Sequence, residues 1–357
     1  MLRKRFANNK GVALLVTITV ITLIIASALA WNQKVRSTVT ITAINRDRLT
    51  LSYMAAAGIH AAMAMLVKDK MQSTSDSLQE DWANPEEINK VLQDIPFEDG
   101  SVTFKINDEL GKIQINALVQ YPSGHNFNDA QYGLWDRFLR SLPAQDTYQE
   151  DTDPTAIINS VKDWLDSNDD DAITGLSGAE SGYYQDLDPP YACRNGPFNH
   201  IGELALVKGV TPDLFQVALE TADISEYMTV YGITNAAEGK FTYEGRININ
   251  TAGLMVLSAL LPSESQDIAA AIYDYRQETQ DLEFIHDLSD PKWYQNVPGT
   301  GGIEIDPNLL TTSSDIFSIE STATLHDLKL TVATVVQREQ DKKSGRWRCR
   351  VLKWQIK

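Results

Sequence analysis

The chain has 357 residues, 43% of them apolar, with 20 Gly and 13 Pro, which excludes a disordered or collagen-like protein and leaves room for two or three domains. Its formal net charge of −17 excludes a broad electrostatic fit to a phosphate backbone and suits divalent cations or basic partner surfaces. Two cysteines, Cys193 and Cys349, leave two readings open: one disulfide in an oxidising compartment, or two thiols.

The chain begins with Arg3, Lys4, Arg5 and Lys10 ahead of Gly11, then an apolar run from Val12 to Trp31. Such a run, about 20 residues at roughly 1.5 Å each, crosses the hydrocarbon core of a bilayer. Flanking bases stay on the cytoplasmic side, so the bulk of the chain is expected outside the cytoplasm. The helical pattern continues past the membrane, with Gly58 as a weak breaker, and predicts one helix from Val12 to Met71. Lys10-Gly11-Val12-Ala13-Leu14-Leu15 resembles a type IV pilin-like N-terminus. That resemblance implies cleavage between Gly11 and Val12 by a prepilin peptidase. Val16 stands at the fifth mature position, where most pilin-like proteins have Glu. A plain membrane anchor is the other reading of this segment.

Further along, the polar, Ser-rich stretch Gln72–Glu87 reads as a linker. Ser101–Ile106 alternates like a strand, and Gly111–Leu118 repeats the pattern after a turn at Asp108-Glu109. From Ala130 to Leu310 there are 30 acidic residues against 9 basic ones, so this block is compositionally distinct. Within it Pro154–Leu165 reads as a helix. Ile201–Lys208 with Pro212–Glu220, and Thr251–Leu261 with Ser265–Glu278, read as two helix-hairpin-helix units. Asn250-Thr251 offers a cap to the second unit. The tail returns to strands at Ile316–Thr324, Lys329–Gln337 and Arg346–Ile356, the last two joined by the polar turn Asp341–Gly345. The expected fold class is α+β: a long N-terminal helix on an antiparallel sheet, carrying a large, mainly α-helical, acidic insertion. The expected divisions are a leader at 1–11, a membrane segment at 12–31, a pilin-like part at 32–125, the insertion at 126–312, and the returning strands at 313–357.

Four segments in order then bear on the family: Asp108-Glu109-Leu110-Gly111-Lys112-Ile113, Asp163-Trp164-Leu165-Asp166, Phe198-Asn199-His200-Ile201-Gly202-Glu203-Leu204 with Val207-Lys208-Gly209-Val210, and Ile249-Asn250-Thr251-Ala252. After a pilin-like N-terminus without the Glu, they resemble the K-type minor pseudopilin of bacterial type II secretion systems. The resemblance implies a non-enzymatic subunit in the bacterial inner membrane, with its bulk in the periplasm at the tip of a pseudopilus. It implies the I-type and J-type minor pseudopilins and other pseudopilins as partners.

The chemistry in the sequence is concentrated at Asp166-Ser167-Asn168-Asp169-Asp170-Asp171, which follows directly on a helix. Asp166, Asn168 and Asp170 fall at positions 1, 3 and 5 of a calcium-type loop, with the Ala172 carbonyl at position 7. Asp171 stands where an EF-hand has Gly and Ser177 where it has Glu, so the loop is not an EF-hand. Glu180 follows Gly175 and Gly178 and can close the site. The candidate Ca2+ ligands are Asp163, Asp166, Asn168, Asp170, Asp171 and Glu180, with Asp186 and Asp188 as a second acidic pair; the family resemblance also implies calcium here. An exposed acidic loop is the plainer reading. The five histidines are scattered, and Gly175-Leu176-Ser177-Gly178 is no nucleophile elbow. The alternative function is a membrane-anchored DNA-binding helix-hairpin-helix protein, against which the acidic block and the Pro262-Ser263-Glu264 turn both argue.

Overall fold

The structure is a computed structural model that describes residues 10–142, 153–167, 173–211, 224–235, 241–281 and 283–357. The leader before Lys10, the expected helix Pro212–Glu220, and Asn168, Asp170, Asp171 and Ala172 lie outside the described residues.

Helix α1 runs unbroken over Lys10–Lys70. Its first half is uncovered by the rest of the chain, with Leu23 and Trp31 about 70% exposed. The hydroxyls in this apolar stretch donate to the helix's own carbonyls, Thr17 to Leu14 and Thr22 to Thr19. They therefore need no water, which is what a hydrocarbon layer demands. The second half turns amphipathic. Leu51, Ala55, Ile59, Ala62 and Leu66 are buried at helical spacing.

Against that face lies a four-stranded antiparallel sheet of β1 (Ser101–Asp108), β2 (Ile316–Leu325), β3 (Leu328–Gln340) and β4 (Trp347–Ile356), in sequential order across the sheet. Val102, Phe104 and Ile106 of β1 alternate inward, as do Phe317 and Ile319 of β2 and Val332 and Val336 of β3. These side chains and the α1 face make one core. Gly58 is the point of closest approach. A Cβ there would lie 2.3 Å from Ser321 Oγ and 2.8 Å from Val102 Cγ1. The glycine that reads as a helix breaker is thus where helix and sheet meet.

A second core is built from residues between Ile113 and Leu310. Helices α2 (Pro85–Gln93), α3 (Asp129–Ser141), α4 (Pro154–Leu165), α5 (Ser181–Gln185), α6 (Leu254–Leu260) and α7 (Ala269–Tyr275) complete the helical elements among the described residues, with short 3-10 turns between them. All but α2 serve the second body.

Three sequence expectations change. Gly111–Leu118 is not a second strand of the main sheet: only Ile113–Gln114 is extended, and it pairs in parallel with Met228–Thr229. The segment is buried on both sides, so its alternation of apolar and polar residues does not mark a solvent face. Its polar member Asn116 spends its side chain on the backbone of Phe198 and Val230. For the same reason the chain leaves the first core at Asp108–Leu110, since Ile113, Ile115, Leu118 and Val119 already belong to the second. The stretch read as a linker, Gln72–Glu87, holds the buried residues Asp76, Ser77 and Trp82 and the start of α2, capped by Asn84. The helix-hairpin-helix units are shortened as well: Ile201–Leu206 is a 3-10 turn, and the second unit reduces to α6, a 3-10 turn and α7.

Candidate functional site

Helix α4 starts cleanly because Asp153 accepts from the Thr155 N–H and Pro154 occupies the first turn. Ile157, Ile158, Val161 and Leu165 anchor it in the second core, and Trp164 packs edge-on against Tyr184 at 5.0 Å. Asp163 is carried inside with them and is fully buried. The returning chain makes that possible. The Thr174 N–H donates to both Asp163 carboxylate oxygens, at 3.2 and 3.0 Å. Gly178 passes so close that a Cβ would fall 2.0 Å from Asp163 Oδ2. Only glycine fits there.

One oxygen from each of Asp163, Asp166 and Glu180 lies within 4.8 Å of the others, and all three residues are buried. Lys162 Nζ sits 2.7 Å from Asp166 Oδ2 and 3.9 Å from Asp163 Oδ1, so part of the negative charge is met from within the helix. The donors are hard carboxylate oxygens, without an imidazole or thiolate among them. That set fits calcium better than zinc or copper. Three of the candidate ligands are therefore brought together, including Asp163, which precedes the acidic run. Asp186 and Asp188 are exposed beyond this group. Cys193 is buried near the Asp163 backbone while Cys349 belongs to the helix-and-sheet part, and both are free thiols.

A second group of acids lies where the two cores meet. Arg338 on β3 is fully buried and is gripped by both Asp76 and Asp69, the latter at 2.9 Å. It also donates to the carbonyls of Leu66, at 3.2 Å, and Ser314. Its guanidinium stacks over the Phe317 ring at 4.6 Å. The Ser314 N–H donates to Asp76 Oδ2 at 2.8 Å, and Asn248 and Asn250 donate to the Asp76 carbonyl. Asp108 accepts from Asn248 Nδ2 at 2.8 Å and Thr251 Oγ1 at 2.7 Å. Glu80 has an oxygen within 4.8 Å of Asp69 and Asp76. The Arg338 guanidinium already lies against Asp69 and Asp76, so this group is an ion-pair network and not a second cation site.

Residues 111–236 match the family described as "Type II secretion system (T2SS), protein K". A protein of Aeromonas hydrophila named Type II secretion system protein K is 27% identical over 162 residues, 43% of this chain and 46% of that protein. A Klebsiella pneumoniae protein of the same name is 26% identical over 213 residues, 58% of this chain and 60% of the relative. The chain thus spans about half the length of the curated relatives it matches. A solved chain of the GspK-GspI-GspJ complex from enterotoxigenic Escherichia coli superposes with a TM-score of 0.61. It is 16% identical, and the match covers 88% of this chain and 99% of that one. Over residues 111–236 the chain resembles the type II secretion system protein K family, and the curated relatives it matches carry that same name. The superposition shows that the pilin-like α+β fold with its insertion is shared well beyond the matched segment.

Proposed function

We propose that this chain is a minor pseudopilin that caps the tip of a periplasmic pseudopilus in a type II secretion system and promotes its assembly for export of folded proteins. The observation that carries the reading is the bare first half of α1 below a large second body. Val12 to Leu49 present apolar side chains that nothing in this chain covers. One helix among the described residues is long and apolar enough to cross a membrane. The lower part would sit in the inner membrane and the upper part against partner helices. The partners are the I-type and J-type minor pseudopilins, a reading supported by the complex in which the similar solved chain was found. Val16 lacks the carboxylate that would pair with a preceding subunit, and the acidic second body would crowd and repel a copy stacked above it. Both favour the tip.

Two further readings go with it. Prepilin peptidase removes the leader after Gly11, leaving Val12 as the first residue. Calcium is held by Asp163, Asp166 and Glu180, and the fixed charge it supplies orders the loop between them.

Co-expression with the I-type and J-type subunits, followed by purification through a tag on this chain, tests the proposal. Recovery of all three in equal amounts is expected. Recovery of this chain alone, or as a repeating homopolymer, would overturn it.

A further inference from the structure

The network between the two cores contains more acid than base. Asp69 comes from the end of α1, Asp76 and Glu80 from the segment after it, and Asp108 from the end of β1. Asp69, Asp76 and Asp108 are buried, and Glu80 is half-buried. Two cations face these four carboxyls. Arg338 contacts Asp69 and Asp76, and Lys70 stands 4.0 Å from Asp76 while also serving Asp315 at 3.5 Å. The remaining neighbours are neutral or turned elsewhere. Asn248, Asn250, Thr251 and Ser314 are uncharged, the Arg276 guanidinium donates to the Ile249 carbonyl, and the Cys349 thiol is held protonated by burial.

Four carboxyls this close, with two cations, cannot all ionise without leaving negative charge buried. One carboxylate oxygen from each of Asp69, Asp76 and Glu80 lies within 4.8 Å of the others, so a proton held by this group relieves the repulsion among them. We propose that the junction is a proton-dependent latch. It holds a proton shared by Asp69 and Glu80 when closed, and losing that proton loosens the second body from the end of α1.

The titration behaviour agrees in direction. Burial and the neighbouring Asp76 push Asp69 up to about 6, and burial and the neighbouring Asp69 push Glu80 up to about 7. Burial likewise raises Asp108 to about 6. The folded chain therefore binds more protons than the unfolded one between the ordinary carboxyl range and about pH 7. Stability should fall as pH rises through that window and level off above it.

The geometry supplies a reporter. The Trp82 indole N–H donates to Glu80 Oε2 at 2.8 Å. The full chain in detergent micelles, labelled with 15N-tryptophan and assigned with Trp82→Phe, is titrated from about pH 5 to pH 8.5. The Trp82 indole resonance should shift with a midpoint near 7, and backbone exchange of 71–84 and 312–316, corrected for intrinsic rates, should rise roughly tenfold across the same range. Glu80→Gln should remove the midpoint and keep the segments protected at pH 8. A flat indole shift, or a midpoint below about 5, would overturn the latch. So would a Glu80→Gln chain that opens with the same pH dependence. If Glu80→Gln does not fold, the wild-type indole titration alone decides.

Discussion

Calcium should stabilise the second body through Asp163, Asp166 and Glu180, and the effect can be sized. A ligand that binds only the folded chain adds RT ln(1 + [L]/Kd), about 2.7 kcal/mol at a hundredfold excess over Kd. For a cooperative unit of this size each kcal/mol moves the melting temperature by roughly 2–4 °C, so calcium against chelator should give a difference of about 5–10 °C. The informative variant is Asp163→Asn. It removes one of the three carboxylates, yet its amide oxygen can still accept from the Thr174 N–H, so the loop keeps its anchor. Most of the calcium-dependent shift should vanish, while the melting temperature in chelator stays close to wild type. Lys162→Met is the converse. It takes away the ammonium 2.7 Å from Asp166, so the chelated chain should melt lower and the calcium shift should grow. The assay is thermal unfolding of the full chain in micelles, followed by near-UV circular dichroism. An equal calcium shift in wild type and Asp163→Asn would refute the assignment, as would no shift in either.

Other consequences follow from the packing and the N-terminus. Gly58→Ala should destabilise by about 1 kcal/mol or more, because the overpacking against Ser321 outweighs the gain of roughly 1 kcal/mol in helix propensity. Adding Ser321→Ala should recover most of the loss, and the denaturant double-mutant cycle should show the coupling. Asn116→Ala strands two carbonyls and an N–H inside the second core and should cost about 3 kcal/mol in the same unfolding assay. Intact mass of the membrane-extracted protein should begin at Val12, and Gly11→Val should leave the leader attached.

Most of the architecture is legible in the sequence, because periodicity reports which side of an element is dry. The long helix and three tail strands announce themselves by spacing alone, and α1, β2, β3 and β4 lie where those patterns put them. The method fails where a segment has no wet side. Ile113 to Leu118 alternates in the sequence and is buried throughout, so its polar residues are interior ligands of the backbone and not a solvent face. The Ser-rich stretch after α1 fails in the opposite direction, since its polar residues look solvated and instead fill the junction. A signal for that junction does exist. Val332, Thr334, Val336 and Arg338 share one parity of β3, and a charge at the fourth inward position demands buried partners. What the sequence cannot supply is that those partners are Asp69 and Asp76, some 260 residues away in the chain. Asp163 is similar. It reads as a candidate ligand just ahead of an acidic run, but the glycine at 178 is what lets the chain close over it.

The four family segments are each weak as strings, and their meaning comes from where they meet. The Asn248 side chain binds Asp108, and its N–H donates to the Leu110 carbonyl at 2.8 Å. Thr251 binds the same Asp108, and Gly111 is held so near that a Cβ would lie 2.6 Å from Thr251 Oγ1. The first and last segments thus form one clasp at the point where the chain crosses between cores. The middle two meet in the same way: Trp164 stacks on Phe198 at 6.2 Å, and Phe198 is tied by its backbone to Asn116. His200 and Glu203 close a reciprocal cap on the turn that follows. Residues far apart in sequence are constrained together because each supplies half of a contact that nothing else nearby can make. The order of the segments therefore encodes a fold with two cores and a polar seam. The seam and the helix face are where changes should cost most, and substitutions on the acidic surface of the second body should cost least.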